Sequence, residues 1–122
     1  MSKIEQSVRL LHGLGYLYGR YGQQKRAIVL LLIAARLAPD DVGVLRMLAH
    51  LFLIDGAPRR AAAVLERLAG LEGAEHPMLE LLRARVQWAS GEQSEARASF
   101  RRYLQCRDQV RPDLVGPDLV CP

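Results

Sequence analysis

An all-α fold of about three helix–turn–helix units is predicted by two properties of this sequence, its composition and an internal period of 34 to 35 residues. Half of the 122 residues are hydrophobic, yet only 6% are aromatic, and Asn and Thr are missing altogether. Sheets draw on β-branched and aromatic side chains, whereas Leu, Ala and Arg, which dominate here, lose little freedom in a helix. The period shows in four columns: Gly22, Gly56 and Gly91; Ala27, Ala61 and Ala96; Leu31, Leu65 and Phe100; Gly15, Ala49 and Ala84.

The first unit spans 8–41 and sets large residues, Leu11, Leu14, Tyr18 and Leu31, among small ones, Gly15, Ala27 and Ala34, with Pro39 near its end. Small residues let two antiparallel helices approach where they cross, and the large ones fill the space on either side. Gly22 suits the end of a first helix, because a left-handed residue costs glycine little. Pro39 stops the second helix. Counted from Val8, this pattern resembles the tetratricopeptide repeat, with large residues at positions 4, 7, 11 and 24, small ones at 8, 20 and 27, and Pro at 32. The resemblance implies a short right-handed solenoid with a concave groove lined by the first helix of each repeat.

The second unit, 42–76, places Leu45, Leu48, Ala49, Phe52, Gly56, Ala61 and Leu65 in the same columns and ends in Gly70 to Gly73. The third, 77–108, keeps Ala84, Gly91, Ala96 and Phe100 but puts Glu80, Arg83 and Gln87 where large residues belong. A one-residue shift restores Leu79, Leu82 and Val86. Six helices are expected near 3–20, 24–37, 41–55, 58–70, 77–90 and 93–107, with Asp40 and Ser94 as helix starters and Pro58 in a first turn. One helical domain, 1–107, is then followed by an extended tail, 108–122, in which Pro-Asp-Leu-Val occurs twice. That tail is expected to contribute little to folding, and docking of its apolar residues in an apolar groove, its own or a neighbour's, is the alternative.

The net charge of +4 comes from 17 Lys plus Arg against 13 Asp plus Glu, scattered rather than gathered in a stripe, which argues against nucleic acid as partner. No apolar run approaches the roughly 20 residues that a membrane helix needs, and the N-terminus lacks the pattern of a signal peptide. With two cysteines, Cys106 and Cys121, read as thiols, a cytoplasmic protein without stable membrane insertion is expected. No cofactor, metal or catalytic residue is expected. The histidines, His12, His50 and His76, have no carboxylate or Cys at ligand spacing, and Gly13-Leu14-Gly15 lacks the frame of a phosphate loop. No nucleophile, base and orienter assemble, so an enzyme is not expected.

Binding is what remains. The inward positions of the first helices hold Arg9, His12, Tyr16 and Gly19; then Gly43, Arg46, His50 and Leu53; then Met78, Leu81, Arg85 and Trp88. This mixture of aromatics, aliphatics and arginines is typical of interface centres. With no Asn and only Lys3 and Lys25, the Asn and Lys clamp by which many such repeats hold a C-terminal carboxylate is argued against. A small three-repeat chain with a short lead and a final Tyr103-Leu104-Gln105 helix resembles the chaperones of bacterial type III secretion, most of all the YscY or SctY type. That resemblance implies a small secreted partner of SctX type, stabilised in the cytoplasm, and a connection with the export gate. Chaperones of needle or translocator subunits, a general adaptor and an RNA-binding repeat are the alternatives, and homo-oligomerisation stays open.

Overall fold

In the computed structural model, which describes residues 2–73 and 77–109 and side chains as far as Arg107, the described residues form six helices and no strand. They are α1 (Lys3–Arg20), α2 (Gln24–Leu37), α3 (Val42–Ile54), α4 (Pro58–Glu72), α5 (Pro77–Ala89) and α6 (Gln93–Gln109). His76 and the segment 110–122, with its expected extended course, lie outside the described residues.

Local chemistry sets the ends of these helices. Ser2 accepts a hydrogen bond from the Glu5 amide at 3.1 Å and caps α1. Asp41, not Asp40, caps α3 by accepting from the Val44 amide at 3.2 Å. Asp40 is left outside and pairs with Arg67 on the surface, an exposed contact of small energetic value. The three glycines of the 34–35 column end α1, α3 and α5 in one repeated geometry. Gly22, Gly56 and Gly91 have φ of +81°, +77° and +84°. In each case the next residue donates to a carbonyl five positions back: Gln23 to Tyr18, Ala57 to Phe52 and Glu92 to Gln87, at 2.8–2.9 Å. α4 runs through Gly70 to Glu72 and stops at Gly73, where φ is +91°.

The helices pack as neighbours in sequence, and α3 also touches α1 and α5; α2 does not touch α4, nor α4 α6, among the described residues. α3 therefore sits in the middle, and it buries Val44, Leu45, Leu48, Ala49, Leu51 and Phe52. The small residues stand at the crossings. Ala27 and Ala61 have no exposed surface, and a Cβ on Gly15 would come within 2.8 Å of Leu31 Cδ2. A Cβ on Gly19 would meet Leu51 at 3.0 Å and Ala27 at 3.8 Å, so α1, α2 and α3 converge there.

The third pair departs from the others. Leu79, Leu82 and Val86 are buried, so the shifted register is the real one. Glu80 is buried too, and its two oxygens receive Arg83 Nη1 at 2.8 Å and Arg102 Nε at 3.2 Å. Ser99 is fully buried, donates to Gln87 Oε1 at 2.7 Å and accepts from Arg102. The residues that seemed lost from the pattern thus form a polar seam between α5 and α6. α6 buries Ala96, Ser99 and Cys106, and Phe100, expected in the core beside Leu31 and Leu65, is turned out and 44% exposed. Cys106 is disulfide-bonded rather than the thiol expected.

Two outcomes follow for stability. Ala27→Leu and Ala61→Leu overpack their crossings and lower stability by about 1–3 kcal/mol in urea denaturation, while Ala63→Leu, on an exposed position, changes it by less than ~0.5 kcal/mol. Equal melts for Ala27→Leu and Ala63→Leu would disprove the crossing. Glu80→Leu leaves Arg83 and Arg102 without their carboxylate and costs about 1–3 kcal/mol, reduced from a fully buried pair because Arg102 is half in solvent.

Candidate functional site

A cavity of about 460 Å3 opens where α3, α5 and α6 meet. Its walls are Leu53 from α3, then Leu81, Ala84, Arg85, Trp88 and Ala89 from α5, and Ala96, Arg97 and Phe100 from α6. Trp88 is 57% exposed, so its indole is not a core residue. The α5 residues recur at i, i+3, i+4, i+7 and i+8, which places them on one helix face. Phe100 completes the far wall because Ser99, one residue earlier, has taken the buried place. A second cleft of about 550 Å3, between α4 and α5, carries Arg59, Glu66, Arg83 and Glu92, and its mixed charge selects no single ligand chemistry.

Four of the ten groove residues expected from sequence, Leu53, Leu81, Arg85 and Trp88, come together in the first cavity. His50 joins them at its edge, with Nδ1 3.1 Å from Arg85 Nη1. A guanidinium only donates, so Nδ1 accepts and the ring proton sits on Nε2. The other five spread out. Arg46 is drawn to α4, where it forms an ion pair with Glu72. Tyr16 accepts a hydrogen bond from Arg20 Nη1 at 3.2 Å, along α1 itself. Arg9 and Met78 lie exposed. His12 covers Gly43, since a Cβ there would stand 3.3 Å from His12 Cε1. The glycines read as groove positions are filled as well, Gly19 by Leu51 and Gly43 by His12.

Sequence reading missed Arg97 and Phe100. It also missed a second apolar stripe on α1. Leu10, Leu14, Leu17 and Tyr21 are exposed, and their spacing of four, three and four puts them on the side of the helix opposite buried Val8. The spacing alone could have revealed the stripe. The displacement of Phe100 could not be read without knowing that Ser99 bonds to Gln87. Among the described residues no three His, Cys, Asp or Glu side chains gather to hold a metal ion, and no helix is long and apolar enough to cross a membrane.

Partial burial, and then the neighbouring Arg85 charge, lower the His50 pKa below its ordinary value of 6.5. The folded chain therefore favours the neutral ring. As pH falls the unfolded chain takes up this proton first, so the contribution is present above pH 6.5 and is lost progressively below it. Between about pH 7.5 and about pH 5.5 the wild-type urea midpoint should fall by more than that of His50→Gln, which keeps an acceptor but does not titrate in this range. An identical fall in both would show that other groups carry the pH dependence. Compared with known proteins, the chain matches no protein-family model and no curated protein.

Proposed function

We propose that the three helix pairs form a tetratricopeptide-type solenoid, and that the chain is a chaperone of bacterial type III secretion, of the YscY kind. The repeated glycine caps, the small residues at the crossings and the contacts of α3 with α1 and α5 support the solenoid reading. The observation that carries the functional reading is the apolar cavity with Leu53, Leu81, Trp88 and Phe100 at its surface. Large side chains held half-exposed around a concavity are the usual anchors for a partner segment. The chemistry is occlusion. A small secreted subunit lays an apolar segment into the cavity, and the apolar surface that drives aggregation or early assembly is hidden. Burial of a few hundred Å2 of apolar surface offers several kcal/mol at about 25 cal/mol per Å2, before the entropy of association is subtracted.

The α1 stripe favours a second reading. Leu10, Leu14, Leu17 and Tyr21 make an exposed apolar face, as suits an adaptor that seats a folded protein. Co-expression with a small SctX-type subunit separates the two. The chaperone reading expects a soluble complex that Trp88→Ala or Leu81→Asp weakens by at least ~10-fold with helicity unchanged. Leu14→Asp and Leu17→Asp should leave that complex intact. No complex with the subunit would remove the secretion assignment, and loss on the α1 variants alone would favour the adaptor.

A further inference from the structure

The cavity has an electrostatic character that its apolar walls do not explain. Arg85 and Arg97 both line it, and among the described residues no carboxylate does. Elsewhere in the molecule Arg46, Arg67, Arg83 and Arg102 are each paired with an acid. Among the described residues Arg85 bonds to the neutral acceptor His50, and neither Arg85 nor Arg97 forms an ion pair with an acid. Two guanidiniums without carboxylates, set beside Leu53, Leu81, Trp88 and Phe100, complement a short segment in which an acid adjoins aliphatic side chains.

The chain carries such a segment twice, as Pro112-Asp113-Leu114-Val115 and Pro117-Asp118-Leu119-Val120. We propose that the second copy binds this cavity within the same molecule, with Leu119 beside Trp88 and the Asp118 carboxylate between Arg85 and Arg97. Reach selects the copy. Arg97 lies twelve residues before Gln109, about 18 Å back along α6 at ~1.5 Å per residue. Asp118, nine residues beyond Gln109, can span about 28 Å at ~3.1 Å per residue, whereas Asp113, four residues beyond, spans about 12 Å and falls short. Prolines narrow the conformations open to a chain before it binds, so less freedom is lost on docking. Tethering supplies an effective concentration in the millimolar range, so a contact of only millimolar strength is half formed. The cavity is then a self-covered surface, whatever outside partner it also takes.

Trp88 is the only tryptophan, so its fluorescence reports on the cavity without a label. The test uses the full chain without reductant, so that Cys106 keeps its disulfide in every variant. Acrylamide quenching of Trp88 should rise about twofold in Asp118→Asn and in Leu119→Asp, as a half-formed cover is removed, and should stay at the wild-type value in Asp113→Asn. Arg97→Glu should raise it in the same way, and Arg97→Glu combined with Asp118→Arg should restore protection. Circular dichroism must show equal helicity across the set. Equal quenching in wild type, Asp118→Asn and Leu119→Asp would overturn the proposal. So would an equal effect of Asp113→Asn, or protection that disappears on dilution and hence comes from a second copy.

Discussion

The close approach of paired helices at small residues is the constraint on which the rest of this molecule depends. Ala27 has no surface left, Leu31 lies directly over Gly15, and Leu51 reaches the same point from α3 beside Gly19. Side chains of any size at these crossings would push the axes apart and open voids around the large residues between them. Ala49 and Ala61, then Ala84 and Ala96, stand in the same columns of the repeat and are buried too. Because each pair is built alike, α3 receives a complementary surface from both sides and becomes the most apolar helix of the array.

The candidate site arises where that repetition breaks. In the first two pairs the large residue after the crossing, Leu31 or Leu65, points inward. In the third, α5 offers Glu80 and Gln87 to its partner helix, and only polar groups can answer them in a buried setting. Ser99 and Arg102 do so, the buried stripe of α6 passes through Ser99, and Phe100 is turned outward. One hydrogen-bonded seam thus explains both the missing core positions of the last repeat and the aromatic wall of the cavity. A net charge of +4 spread over the chain says little about binding, yet among the described residues local pairing leaves Arg85 and Arg97 unmatched by acids at an apolar concavity.

How much was legible beforehand depends on the range of the interaction involved. Helix bounds were, to within one or two residues, because Gly22, Gly56, Gly91, Pro39 and Pro58 act through their own backbones. Asp41 rather than Asp40 as cap is a choice between neighbours that only the local geometry makes. Half of the expected groove gathered around the cavity, His50 included, because Leu53, Leu81, Arg85 and Trp88 share a repeat position or a helix face. Arg46 did not, since a long side chain goes to the nearest carboxylate, here Glu72 from another helix.

By itself the sequence determined the helical class, the number of helices, their turns and the small residues at their crossings, since all of these follow from propensity, periodicity and contacts within a few residues. The tertiary structure alone decided the register of the third pair, the outward turn of Phe100 and the company kept by Arg85 and Arg97. Those outcomes rest on hydrogen bonds between residues 12 to 35 positions apart, such as Ser99 with Gln87 and His50 with Arg85, and only packing tells which donors and acceptors will meet.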